Sequence, residues 1–178
     1  MKRLLWLDLE MSGLDVENCR ILEVAAIVTD LKLNELGCYE AIVYQEPEVL
    51  DAMDDWCTKQ HGKSGLTAAV AKGTPEREVE SGLLDLVDQF WTKKDRPVLA
   101  GNSIATDRDF VRKWMPTFSA RLHYRLLDVS SFKVILKARY GVSFDKKGSH
   151  RALGDIRESI AELNHYLTMF GGEVPAAS

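Results

Sequence analysis

A chain of 178 residues, 46% hydrophobic and 28% charged, carries enough apolar material for one domain with a substantial core and is no disordered segment. Its formal charge of −4 argues against a protein that wraps duplex DNA on a basic surface, yet allows a short nucleic acid held by a small local patch and by metal. Cys19, Cys38 and Cys57 have neither the number nor the spacing for disulfides or zinc, and no stretch approaches a membrane span or a signal-peptide core, so a cytoplasmic protein is expected.

The first predicted strand, residues 3–9, runs into Asp8-Leu9-Glu10. Alternation along a strand puts both carboxylates on one face, and two like charges side by side are costly unless a cation lies between them. Met11-Ser12-Gly13-Leu14-Asp15 turns the chain into a second strand, 20–29, whose run 21–28 is nearly continuous apolar, as in a strand covered on both faces. A third strand is expected over 38–44, then short helices and loops over 51–73.

Thr74-Pro75 predicts a helix start, with Thr as cap and Pro at the first helical position. Val79, Leu83, Leu86, Val87 and Phe90 keep helical spacing behind it. Residues 97–101 read as a short buried strand, and Asn102-Ser103 as the cap of a helix near 104–115. On that helix Asp107 shares the stripe of Ile104 and Val111. A carboxylate on a buried face needs a partner, either one of the nearby arginines or a metal.

A strand over 124–128 and a helix over 130–140 follow. After Ser149 comes a long amphipathic helix with Leu153, Ile156, Ile160, Leu163 and Leu167 on one stripe. His150 stands just before this helix, and Asp155 lies in its early turns, off the stripe. The tail 171–178 is small and polar enough to fray, leaving a single domain over 1–170. Strands first, then helices alternating with short strands, predict an α/β protein: a mixed sheet with helices on its faces.

Taken singly, each of these polar residues has an ordinary explanation as a solvated or ion-paired group. Together, Asp8, Glu10, Asp107, Asp155 and His150 form a set that only folding can assemble. Oxygen ligands suit Mg²⁺ or Mn²⁺. Two such ions roughly 3.5–4 Å apart form the arrangement used for in-line phosphoryl displacement. One lowers the pKa of an attacking water and the other stabilises the leaving oxygen, while His150, titrating near neutrality, can take the water's proton.

Asp8-x-Glu10 with Met11–Asp15, Gly101-Asn102-Ser103-Ile104-x-x-Asp107 and His150-x-Ala152-x-x-Asp155 resemble the motifs of the DEDDh 3′→5′ exonuclease superfamily. Met53-Asp54-Asp55-Trp56, Ser64-Gly65-Leu66, His123-Tyr124-Arg125, Leu127-Asp128-Val129-Ser130 and Asp155-Ile156-Arg157-Glu158-Ser159 bring the resemblance closer to its oligoribonuclease family. It implies a ribonuclease H-like fold, a mixed five-stranded sheet flanked by helices. It also implies two divalent cations, Mg²⁺ or Mn²⁺, on Asp8, Glu10, Asp107 and Asp155, with His150 as general base.

The same resemblance makes Leu14 a wedge against the terminal bases and Trp56 a stacking platform on the 3′ side, with His61 beside the substrate and Ser103 near the phosphates. On apolar character alone Leu14 and Trp56 read more naturally as core. Tyr124 and Arg125, with Ser130, would close the pocket around a 5′ phosphate, Tyr124 coming from the second subunit of a homodimer. Such a capped pocket implies single-stranded RNA of about two to five nucleotides, dinucleotides above all. Gly154 departs from the family pattern of a second Asp at that position, with only an indirect effect expected. The segment 141–148 also differs from some relatives. A nuclease for longer chains would call for a basic track, and a binding-only module would have lost one of the five residues.

Overall fold

A computed structural model of the protein describes residues 2–145 and 151–169. His150, residues 146–149 before it and the tail 171–178 lie outside them. Three strands, β1 (Arg3–Met11), β2 (Ile21–Asp30) and β3 (Glu35–Ile42), form an antiparallel meander. β4 (Leu99–Gly101) and β5 (Leu126–Asp128) add in parallel on the other side of β1, giving the order β3-β2-β1-β4-β5. The mixed five-stranded sheet is thus as expected, and β1 is at its centre.

Between β3 and β4 lie α1 (Pro47–Asp51), α2 (Asp55–Ser64), α3 (Leu66–Val70) and α4 (Glu76–Phe90). α5 (Ile104–Trp114) and α6 (Pro116–Arg121) join β4 to β5, and α7 (Val129–Tyr140) and α8 (Ala152–Met169) follow.

The period of two along β1 sorts its side chains. Leu5, Leu7 and Leu9 pack with Val24, Ala26 and Val28 under α4, α5 and α6. Leu4 and Trp6 pack with Ala25 and Ile27 on the other face, under Leu136 of α7 and Ile156, Ile160, Leu163 and Tyr166 of α8. Trp6 is fully buried and satisfies its indole by donating to Thr29 Oγ1 at 2.9 Å. Continued two residues at a time, the Leu4/Trp6 face reaches Asp8 and then Glu10.

Several boundaries differ from the sequence reading, each for a local reason. β3 begins at Glu35, three residues before the predicted start. Asp30 Oδ1 accepts the amides of Lys32 (2.8 Å) and Asn34 (3.0 Å), and Leu33 adopts a left-handed φ of 67°, so the hairpin closes early. Thr74 caps nothing: its amide donates to Ile42 O (2.8 Å) and its carbonyl accepts from Tyr44 (2.9 Å), extending the sheet edge. Pro75 therefore holds the N-cap position without a side-chain bond, and α4 starts one residue later than predicted. The short α6 was not foreseen. Its Phe118 amide is held by Glu80 of α4 at 2.9 Å. At the end of α8, Tyr166 takes the buried position that the stripe assigned to Leu167, which is exposed.

Candidate active site

The site forms because β1 is longer than its parallel neighbour. β4 pairs only with Leu5 and Trp6 before Gly101 leads the chain away into α5. The amide of Leu9 thus faces an edge with no strand beside it, and a buried amide left unbonded is costly. Asp107, in the first turn of α5 and 6% exposed, fills that place: its Oδ1 accepts from Leu9 N at 2.9 Å. The buried carboxylate finds a backbone partner rather than an arginine. Burial lifts Asp107 to about 7, with Glu10 and Asp128 adding to the rise and the Leu9 amide opposing it.

Asp8, Glu10 and Asp155 each offer a carboxylate oxygen, all within 4.8 Å of one another. Asp155 comes from the opening turns of α8, whose start is clamped to the sheet. Arg151 Nε and Nη2 donate to Glu23 Oε1 at 2.9 and 2.7 Å, and Glu23 Oε2 also accepts the Ala152 amide at 3.3 Å. Glu23 sits directly opposite Glu10 across β1 and β2 and is buried. Burial, then the charges of Asp155 and Glu23, raise Glu10 to about 7 against the pull of Arg151. Neither Glu23 nor Arg151 was singled out from sequence, though Glu23 is the lone charge inside the apolar run 21–28.

Beside Glu10 opens a cavity of about 510 Å³ lined by Leu14, Trp56 and His61. Leu14 is 80% and Trp56 65% exposed, so neither is the core residue its apolar character suggests. Leu14 projects from a loop closed by Ser12 and Arg20, whose backbone and side-chain bonds are both 2.9 Å, and braced by Asp15 on the Glu17 amide and the Asn18 side chain. Trp56 stands in the first turn of α2, where Asp54 accepts the Cys57 amide at 2.7 Å. His61 is buried: Nε2 donates to Met11 O at 2.9 Å, which turns Nδ1 toward Glu10 Oε2, 3.9 Å away.

Ser103 and Ser130 meet at the carboxyl ends of β4 and β5, the same end of the parallel strands as the carboxylates, where open α/β sheets form clefts. Ser103, at a left-handed φ of 52°, occupies the N-cap position of α5, but its side chain makes no cap bond and Asn102 points elsewhere. The Ser103 amide instead donates to Asp128 Oδ1 and Ser130 Oγ, both at 3.0 Å, with the two hydroxyls 3.3 Å apart.

Tyr124 and Arg125 lie at the opposite end. Leu126 is level with Leu5 through Leu99, so Tyr124 falls near the start of β1, roughly 16 Å short of Asp8 along the strand direction. Tyr124 is 76% exposed, stacks on His123 at 4.6 Å and lies under the Arg125 guanidinium at 5.1 Å. Its own chain's carboxylates are out of reach.

The raised carboxyls set a pH dependence. Glu10 and Asp107 titrate above their ordinary range, so without cations the fold is favoured by protonating them. That contribution is complete below about pH 4 and is lost as the pH rises through about 7. A cation needs the ionised forms, so its apparent affinity should climb toward pH 7 and level off above. Melting curves from about pH 5.5 to 8 should show a growing Mn²⁺-induced rise in Tm over a falling metal-free baseline. A Mn²⁺ effect that is flat with pH would contradict this electrostatics.

The exonuclease family model RNase_T matches residues 5–163. An oligoribonuclease of Francisella tularensis subsp. tularensis (strain WY96-3418) is 46% identical over 168 residues, 92% of this chain and 93% of that protein. An oligoribonuclease of Azoarcus sp. (strain BH72) is 45% identical over 172 residues, 94% of each. Exonuclease I from Methylocaldum szegediense superposes with a TM-score of 0.71 at 21% identity, over 96% of this chain and 41% of that one. The zinc-bound E. coli exonuclease I–ssDNA complex gives 0.70 at 16% identity, again over 96% and 41%. These two likenesses bear on fold, and the chain spans about two fifths of the longer proteins' length.

Proposed function

The chain belongs to the oligoribonuclease family of exonucleases, and on that premise we propose that it hydrolyses short RNA, dinucleotides above all, from the 3′ end to 5′-mononucleotides. The observation that carries this reading is the trio of carboxylate oxygens from Asp8, Glu10 and Asp155, within 4.8 Å of one another, beside a cleft flanked by Leu14 and Trp56.

The all-oxygen donor set fits hard divalent cations, and burial together with the charges of Asp155 and Glu23, which raise Glu10, is what a bound cation would offset. Asp8, Glu10, Asp107 and Asp155 would hold two Mg²⁺ or Mn²⁺ ions, which supply positive charge against the phosphate and acidify water. His150, the residue before the clamped Arg151, would take the water's proton as general base. Leu14 would wedge against the terminal bases and Trp56 would stack on the 3′ side, aromatic stacking being worth about 1–3 kcal/mol per base. His61 would hold the sugar–phosphate beside Glu10, and the Ser103 and Ser130 pair the phosphate on the other lip.

The distance between Tyr124 and its own chain's carboxylates supports its use by a second copy. A homodimer would bring Tyr124 and Arg125 over the partner's cleft to cap a 5′ phosphate and limit substrate length. Val134 and Ile135 on α7, both exposed and apolar, suit such an interface. The free Cys19, Cys38 and Cys57 suit a reducing cytoplasm, and among the described residues no helix is long and apolar enough to cross a membrane.

The test is cleavage of a 5′-labelled dinucleotide, pentanucleotide and twenty-mer with Mn²⁺ or with EDTA. The dinucleotide should disappear fastest and EDTA should stop all cleavage. Preference for the twenty-mer would move the activity to longer chains and remove the reason for an end cap.

A further inference from the structure

Behind the carboxylates, hydrogen bonds run from the core of α8 to the serines on the far lip of the cleft. Tyr166, fully buried, donates its hydroxyl to Glu162 Oε1 at 2.8 Å. Glu162 is 0% exposed, and its Oε2 accepts from Asn102 Nδ2 at 3.0 Å. The second hydrogen of that amide goes to Ser159 Oγ at 2.8 Å, and Ser159 donates its own proton to the backbone carbonyl of Asp155 at 2.9 Å. On its other side Asn102 Oδ1 accepts from Ser130 Oγ at 3.0 Å.

Asn102 thus has both amide hydrogens and its carbonyl engaged, so a flip of the amide would set donor against donor and acceptor against acceptor. The buried Glu162 carboxylate fixes which way round it stands. Ser130 has spent its proton on Asn102 and accepts the Ser103 amide. Of the two hydroxyls, 3.3 Å apart, only that of Ser103 therefore has a proton left, which rests on Ser130 Oγ and can turn to a substrate phosphate.

We propose that Asn102, oriented by Glu162, is a positioning residue joining the two sides of the cleft. Through Ser159 it fixes the turn of α8 that carries Asp155; through Ser130 it aims the Ser103 hydroxyl at a substrate phosphate. The inference rests on the active-site reading above and goes beyond it in naming Asn102, Glu162 and Ser159, which touch neither metal nor RNA. Partners one shell behind a metal ligand commonly change affinity or activity by about 10–100-fold when lost.

The experiment is a Mn²⁺ titration followed by EPR of the free ion, with KM for a 5′-phosphorylated dinucleotide measured at saturating Mn²⁺. Asn102→Ala should weaken Mn²⁺ binding by about 10-fold or more and also raise KM. Ser159→Ala should move only the Mn²⁺ affinity, and Ser130→Ala only KM. A folded Asn102→Ala protein in which either quantity stays at its wild-type value overturns the proposal. If Asn102→Ala does not fold, Ser159→Ala decides: a loss of Mn²⁺ affinity with KM unchanged supports the link, and an unchanged affinity overturns it. Wild type that neither binds Mn²⁺ nor cleaves the dinucleotide defeats the active-site reading itself, a separate result.

Discussion

Asp8→Ala should fold and lose about three orders of magnitude or more of its turnover on a dinucleotide, because a ligand worth several kcal/mol of transition-state charge stabilisation is gone. Asp8 is half-buried on the central strand and contributes one of the three clustered oxygens. The adjoining Trp6 and Leu7 hold the strand through packing that the substitution does not touch. The circular dichroism should match wild type, while the rise of Tm on adding Mn²⁺ should shrink or vanish. Near-normal hydrolysis with Mg²⁺ would end the metal-site reading.

Tyr124→Ala should lower dinucleotide cleavage about as severely as a terminal stacking contact demands, roughly 5- to 150-fold for 1–3 kcal/mol, with Mn²⁺ binding intact. The decisive form of this experiment mixes it with Asp8→Ala. In a homodimer with Tyr124 acting in trans, each mixed dimer owns one site with neither lesion. Random exchange of equal amounts makes half the dimers mixed, so about a quarter of all sites should regain full activity. Activity in the mixture no greater than the average of the two variants would show that Tyr124 serves no partner.

The parts of the site legible in sequence are those that depend on periodicity. Asp8 and Glu10 share a face because strands alternate, and Asp107 is conspicuous as a carboxylate on an apolar helix stripe. The partner of Asp107 was not legible, since the Leu9 amide is bare only because β4 stops at Gly101. Glu23 and Glu162 carry the same signal as Asp107, a single carboxylate in an apolar setting, and could have been found by the same reasoning. Thr74 misled because its residue type suits a helix cap, whereas the sheet edge made first use of its backbone. Leu14 and Trp56 show the opposite failure: hydrophobicity says interior, but a loop tip and a helix start present them to the cleft. Tyr124's remoteness from its own site follows from which end of β5 it precedes, and that is fixed by the parallel pairing of β4 and β5.

One face of the central sheet is covered mainly by α8, at positions 152–169, with Leu136 of α7 beside it. During synthesis, Leu4, Trp6, Ala25 and Ile27 therefore emerge long before the helix at 152–169 that covers them. Asp155 arrives with that cover. A nascent chain has no complete carboxylate cluster to act on RNA within the translating ribosome's reach, and catalytic competence and concealment of the sticky sheet face come in one step. A chain cut short before α8 would combine inactivity with an exposed Trp6 surface, a product fit for aggregation or degradation rather than for slow partial function.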